Sequence, residues 1–223
     1  MQIGKNFHFS ETELKSIENT IVECEKDISG EIRVAFEYKS NSYTGAALTA
    51  GMVFLLISTL IFLFIEDILF PNTFISYFQD HYLVLTQFVS FCIGSLITLF
   101  SPNLQRAFTS KSYMRKSAYE KAETIFLEKE IFATRQRSGI LIFMSLLEHQ
   151  IVILPDVGLK AKVKPKEWDK IAQTIAKSFQ KHQAADGIQQ AVKGCRELLL
   201  KYGFEAGPDD LNELSNDIIL PKK

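Results

Sequence analysis

The sequence lacks a surplus of either charge. Its 223 residues include 25 Lys and Arg against 26 Asp and Glu. No broad basic face is expected, so the chain is not predicted to bind nucleic acid. Cysteine is also scarce. Three cysteines, with Cys92 inside an apolar run, predict reduced thiols rather than a disulfide framework.

Motifs for phosphate or metal chemistry are missing as well. There is no Cys-x5-Arg loop and no glycine-rich phosphate cradle, and the four histidines are scattered. Phosphoryl transfer needs a nucleophile or a metal-activated water, together with groups that hold the phosphate. The motifs alone therefore indicate no enzyme class.

Two long apolar runs without a charged residue are present, at 45–65 and 82–100. At about 1.5 Å per helical residue, each is long enough for the roughly 30 Å hydrocarbon core of a bilayer. We predict a transmembrane hairpin over 44–100 with an external loop at 66–81. The alternative for each run is a buried helix of a soluble protein.

Basic residues predict the orientation of this hairpin. The segment 66–81 has no Lys or Arg, whereas four basic residues follow the second run: Arg106, Lys111, Arg115 and Lys116. By the positive-inside rule, both termini are expected in the cytoplasm. The same four residues are candidates for contact with lipid headgroups. Small residues four apart, such as Ser90 and Gly94, predict close helix packing within the hairpin and leave homo-oligomerisation open.

The remaining residues have the pattern of an α/β domain. Alternation from Ile32 to Tyr38 predicts a half-buried strand, and the apolar run 139–146 predicts a central one, with 151–154 as its hairpin partner. Helices are predicted from the capping box at Ser10, over 112–134, from Pro165, and along the apolar face that begins at Ile188. The hairpin thus splits one domain into 1–40 and 105–205, and 206–223 forms an acidic tail in which 218–220 docks back.

Several segments in this order resemble the TPM domain family, which includes acid-phosphatase-like proteins of the thylakoid lumen. They are Gly30–Val34, the run 137–145, Glu148-His149, Asp156–Leu159, Trp168 and the tail 208–214. The tail and the two apolar runs are similar to a bacterial membrane-protein branch of that family. The resemblance implies a small mixed β-sheet with helices packed on its faces, in a protein of the bacterial inner membrane. Relatives include weak phosphatases, calcium-binding proteins and accessory proteins of membrane complexes.

The candidate catalytic residues are Asp156, Glu148 and His149. Asp156 ends a strand at a position where loops often carry function, but an aspartate that forms a turn is the simpler interpretation. His149 sits beside Glu148 at a hairpin turn, where an exposed turn residue is the default.

The tail supplies a second candidate site. Asp209, Asp210, Asn212 and Glu213 offer oxygen atoms of the kind that Ca²⁺ or Mg²⁺ takes, and Asp156 is a further candidate ligand. A solvated tail or a helix cap explains the same residues. A docking motif for a partner is another interpretation.

Two hypotheses of function follow. The first is a binding, scaffolding or accessory module that requires no cofactor and whose partners are the bilayer and another membrane protein. The alternative is a weak phosphatase dependent on Ca²⁺ or Mg²⁺.

Overall fold

A computed structural model describes residues 2–4, 7–69, 80–181, 183–208 and 212–221. The strands are β1 (Gln2–Gly4), β2 (Phe7–His8), β3 (Ile32–Glu37), β4 (Ile140–Ser145) and β5 (Gln150–Pro155). The helices are α1 (Glu11–Glu25), α2 (Thr44–Leu69), α3 (Asp80–Phe100), α4 (Pro102–Ala107), α5 (Lys111–Glu128), α6 (Val157–Lys160), α7 (Pro165–Gln180) and α8 (Ala184–Lys201).

The chain divides into two compact units. We call 1–41 with 115–223 the sheet unit, and 42–114 the hairpin unit. The sheet unit is discontinuous in sequence because the hairpin unit lies between its two segments.

The sheet unit contains a mixed three-stranded sheet in the order β3-β4-β5. β3 runs parallel to β4, with Ile32 opposite Ile140, and β4 runs antiparallel to β5, with Ser145 opposite Gln150. All six residues of β4 are buried, as the unbroken apolar run predicts for a central strand. β1 and β2 form a separate antiparallel pair.

Helices cover both faces of this sheet. On one face, Val34 and Ile142 pack in a cluster with apolar residues of α1, α7 and α8. On the other face, Ala35 and Phe143 pack against Ala118 and other residues of α5. Each large apolar side chain buried in this way stabilises the fold by about 1.5–3 kcal/mol. A small mixed sheet with helices on its faces is therefore confirmed.

The segment after α5 differs from the prediction. A helix over 112–134 was expected, but α5 ends at Glu128. Glu130 has φ 50°, a left-handed conformation that an α-helix cannot contain, and Arg137 has φ 51°. The prediction of a helix to Thr134 is wrong, and the resulting loop carries Arg137 to the start of β4.

The C-terminal tail extends the sheet beyond β3. The Ile219 N–H donates to Val34 O, and the Phe36 N–H donates to Ile219 O, both at 2.9 Å. The predicted docking of the tail at 218–220 is confirmed. The prediction that β3 is half-buried is wrong. The polar residues Glu31 and Arg33, on the side of the tail, are only 7% and 8% exposed.

The hairpin unit consists mainly of α2 and α3, which pack against each other. Gly94 lies so close to Phe54 that an added Cβ would be 2.6 Å from its Cγ, and Gly51 lies against Phe91 and Ser95. The small residues therefore serve the contact between α2 and α3, as one of the two interpretations predicts.

Two segments of these helices, Thr44–Ile65 and Leu83–Phe100, are long and apolar enough to cross a membrane, with mean hydropathies of 2.6 and 2.0. Their large side chains are mostly exposed: Leu60 and Phe88, for example, are 67% and 66% exposed. Of the predicted loop at 66–81, residues 70–79 lie outside the described residues.

Candidate functional sites

Asp156, the first candidate, begins α6 and binds the side chain of Arg137. Arg137 Nε donates to Asp156 Oδ2 at 2.7 Å, and Nη2 donates to Oδ1 at 3.1 Å. Oδ1 also accepts the Val157 N–H at 2.7 Å, so Asp156 is the N-cap of α6. The carboxylate is 3% exposed, and its hydrogen bonds raise the pKa of Arg137. Both carboxylate oxygens thus have partners that orient them.

Gly158 allows α6 to lie close to the loop that precedes β4. Its N–H donates to Arg137 O at 3.0 Å, and an added Cβ would meet the carbonyl oxygens of Gln136 and Arg137. The Arg137 guanidinium also lies 5.6 Å from the centre of the Phe132 ring. The contacts of Gly158 and Phe132 therefore position Arg137 next to Asp156.

Glu148, the second candidate, joins two parts of the sheet unit. Its Oε1 accepts the Ser40 N–H at 2.7 Å, and its Oε2 accepts the Ser145 hydroxyl. The two serine hydroxyls are 2.8 Å apart, and Glu148 is 2% exposed. These contacts hold the end of the segment after β3 against the β4–β5 turn. His149 follows in this turn with φ 52°, a left-handed conformation.

Asp156 and Glu148 are not brought together. Glu148 precedes β5 and Asp156 follows it, so the six residues of the strand separate them. At about 3.3 Å per residue, this is roughly 20 Å. They cannot share a substrate phosphate or a metal ion.

The tail residues form a polar cluster with α1 and β3, which we call the tail cluster: Glu25, Glu31, Arg33, Glu213 and Asn216. Glu213 N–H donates to Glu31 Oε1 at 2.9 Å, while its carboxylate accepts the Arg135 N–H at 3.0 Å. The amide of Asn216 donates to Glu25 Oε2, and Glu25 Oε1 accepts the Ile32 N–H at 2.7 Å.

The ionisation of the tail cluster is perturbed. Desolvation raises the pKa of Glu25 to about 8, and the nearby charge of Glu31 acts in the same direction. Desolvation also lowers the pKa of Arg33, whose Nη1 is buried and has no hydrogen-bond partner among the described residues. A neutral Glu25 at pH 7 reduces the repulsion between this partly buried side chain and the buried Glu31.

Two of the predicted tail residues, Asp209 and Asp210, lie outside the described residues. Of the other two, Glu213 contacts Glu31 and Arg135, and the Asn212 side chain lies against Glu31. In the described ranges, no group of three or more His, Cys, Asp or Glu side chains is arranged to hold a metal ion.

The four basic candidates follow α3 along the chain. Arg106 is in the last turn of α4, and the other three are exposed on α5: Lys111, Arg115 and Lys116. Lys116 forms an ion pair with Glu120 at 3.7 Å. An exposed pair of this kind is weak and leaves the lysine accessible to solvent, and the headgroup role of these four residues stays a prediction.

A cleft of about 330 Å³ lies between the β4–β5 turn and α7. Its walls are mainly apolar and include Met144, Leu146, Ile151, Ala176 and Phe179, with His149 and Gln180 at the same cleft. No local sequence pattern predicts this cleft, because its two walls are about 25 residues apart in the chain. Glu25, Glu31 and Arg33 were not predicted as site residues either. The only sequence signal for these was the Glu-x-Arg pair on a strand otherwise predicted to alternate.

The fold and these contacts define a small mixed α/β domain with polar clusters at one edge and both ends of its sheet. Residues 106–198 match the model of the TPM domain, so this part of the chain is similar to that domain. The match includes Asp156 and Glu148, but neither β3 nor the tail.

Among solved structures, the chain is similar to the NMR structure of the BA42 protein from the psychrophilic bacterium Bizionia argentinensis. The TM-score is 0.58 and the identity 18%, over 99% of this chain and 100% of that chain. At this identity the likeness bears on the fold. No curated protein matches the chain.

Proposed function

We propose that the protein is a membrane-anchored TPM-domain module that binds another membrane protein or complex and acts in its assembly or quality control. One observation carries this proposal: the carboxylates of both candidate catalytic residues are already hydrogen-bonded to other groups of the protein. Asp156 is held by Arg137 and the Val157 N–H, and Glu148 by Ser40 and Ser145. A general base or nucleophile must face a substrate, whereas these groups face the protein.

The anchoring part of the proposal rests on α2 and α3. Their large exposed side chains are apolar, and basic residues flank them on the side of the chain termini. We place both termini in the cytoplasm and the protein in a bacterial inner membrane, in two passes. Reporter fusions test this: alkaline phosphatase is expected to be active when inserted between α2 and α3, and inactive when fused at the C-terminus. The reverse pattern would exclude a cytoplasmic sheet unit.

The alternative activity, a phosphatase that depends on Ca²⁺ or Mg²⁺, is tested by phosphate release from the purified full chain. The assay compares both cations with a chelator, in the wild type and in Asp156→Ala. Asp186→Ala is the matched control, since Asp186 is exposed on α8. We expect no cation-dependent release in any variant. Turnover that Asp156→Ala abolishes and Asp186→Ala preserves would establish the phosphatase instead.

The binding role is tested by crosslinking in intact membranes, followed by mass spectrometry of the captured proteins. We expect the same membrane protein to be captured in independent preparations. A chain that lacks the sheet unit is the control for capture through the helices. Equal capture by that control would contradict a binding role of the TPM domain.

A further inference from the structure

The outer edge of β5 presents backbone groups that are ready to pair with another strand. The Ile140 N–H donates to Glu31 O and the Leu146 N–H to Glu37 O, whereas Gly139 O accepts the Asp156 N–H. Because successive residues of a strand direct their backbone groups to opposite sides, Val152 and Leu154 pair with β4. Ile151 and Ile153 therefore direct their N–H and C=O groups outward, and no described backbone group bonds to them.

This edge borders the apolar cleft. The side chains of Ile151 and Ile153 pack on the same face of the sheet as Phe179 of α7, and Ile151 and Phe179 line the cleft. A strand added beside β5 would direct every second side chain toward this face. The edge provides backbone hydrogen bonds, and the cleft provides a place for apolar side chains.

The opposite edge of the same sheet already binds an extended segment. Ile219 of the tail adds to β3 through two backbone hydrogen bonds, and Ile218 is buried in the apolar cluster below it. The chain thus stabilises one edge with a short apolar strand of its own. The other edge has no such cover from the described residues.

The charged residues near the cleft indicate what kind of segment would bind there. Lys177 of α7 and Lys181, which directly follows α7, are exposed and adjacent in sequence to the cleft residues Ala176 and Gln180. In the β4–β5 turn, Glu148 is buried and bonded to two serines. The accessible charge near the cleft is therefore positive. A second copy of the chain paired through β5 would bring two such basic helices together, whereas an acidic segment is complementary.

We propose that the β5 edge and the cleft beside α7 bind an extended polypeptide segment of a partner protein, with apolar residues at alternate positions and acidic residues next to them. This inference rests on the proposed binding role and names the surface and the chemistry through which it acts. The segment adds as a fourth strand of the sheet, on the side away from the tail.

The test uses the full chain in nanodiscs of neutral lipid and a fluorescein-labelled peptide of eight residues. In the peptide, valine alternates with threonine and a glutamate stands at each end. We expect saturable binding by fluorescence anisotropy. Affinity should fall at least tenfold when the peptide amides that face β5 are N-methylated. Affinity should also fall at least tenfold when lysines replace the glutamates.

Two variants locate the site on the protein. Ile153→Pro removes an outward N–H without breaking a bond to β4, and proline is tolerated on edge strands. Ala176→Phe fills the cleft. Each is expected to weaken the peptide at least tenfold, whereas Lys170→Phe, at an exposed position of the same helix, is not. Unchanged fluorescence of Trp168, which is buried in the sheet unit, shows that a variant is folded.

Three results would overturn the inference. The first is the absence of saturable peptide binding by the folded chain, and the second is equal binding by Ile153→Pro and Ala176→Phe. The third is a disulfide-linked dimer of Val152→Cys in a Cys92→Ser background, which would show that a second copy covers the edge. If membrane crosslinking still captures the same partner with the two blocking variants, the binding role stands and this surface is not its site.

Discussion

Glu25 makes the stability of the sheet unit depend on pH, and Glu25→Gln should remove that dependence. Burial raises the pKa of Glu25 to about 8 from 4.5; the charge of Glu31 also raises it, and that of Arg33 lowers it. A glutamine has nearly the same shape and is always neutral. Its amide can still accept the Ile32 N–H.

The sign follows from the raised pKa. Below pH 4.5 Glu25 is protonated in both the folded and the unfolded chain, so its contribution to stability is fully present. Between pH 4.5 and 8 the unfolded chain loses this proton and the folded chain keeps it, so stability falls as the pH rises. At 1.36 kcal/mol per pKa unit the loss is at most about 5 kcal/mol. Because the side chain is partly exposed, screening reduces this to about 2–4 kcal/mol.

Thermal unfolding at pH 5 and pH 9, followed through Trp168, measures the effect. The chain has a single tryptophan, and it is buried in the sheet unit, so the signal does not come from the helices of the hairpin unit. We expect Glu25→Gln to match the wild type at pH 5. At pH 9 its Tm should be higher by about 5–15 °C, at 2–4 °C per kcal/mol for a unit of this size. Glu23→Gln, at an exposed position of α1, should follow the wild type at both pH values. An equal fall in Tm for the wild type and Glu25→Gln would refute the reasoning.

Three further changes probe other contacts. Asp156→Ala removes the N-cap of α6 and the partner of Arg137, and should lower the free energy of unfolding by about 1–3 kcal/mol in denaturant titrations. A smaller loss than that of the exposed Asp186→Ala would contradict a structural role. Ile219→Pro removes the N–H that donates to Val34, so the Phe36 amide should exchange with D₂O at least tenfold faster; unchanged exchange would place the tail elsewhere in solution. Gly94→Leu should separate α2 from α3 at Phe54 and abolish a disulfide between cysteines introduced in the two helices, which the exposed change Leu96→Ala should preserve.

Sequence patterns predicted the helices and strands that depend mainly on residues close together in the chain. The apolar run of β4, the proline that starts α7 and the capping box at Ser10 each depend on a few neighbouring residues, and each is present in the structure. The end of α5 was not predictable in this way. It depends on a left-handed residue, Glu130, for which the sequence has neither glycine nor proline as a signal.

The candidate sites were harder to predict because their contacts are distant in sequence. Alternation along β3 showed which side chains share a face, but not that the tail would bury Arg33. The sequence marked Asp156 as a turn residue, whereas its pairing with Arg137 follows from a loop 19 positions earlier. The role in function predicted for Asp156 stays a prediction, since its contacts with Arg137 and the Val157 N–H account for its position.

The parallel pairing of β3 with β4 sets the order of events when the chain is synthesised. Ile32 is paired with Ile140, so 108 residues must leave the ribosome before β3 finds its neighbour. At about 5–20 residues per second this is a delay of roughly 5–20 s. During this delay β3 stays unpaired while α2 and α3 are synthesised. The sheet unit therefore cannot complete its sheet until the hairpin unit has been synthesised, so a chain whose synthesis stalls within 42–114 exposes an unpaired strand to chaperones and proteases.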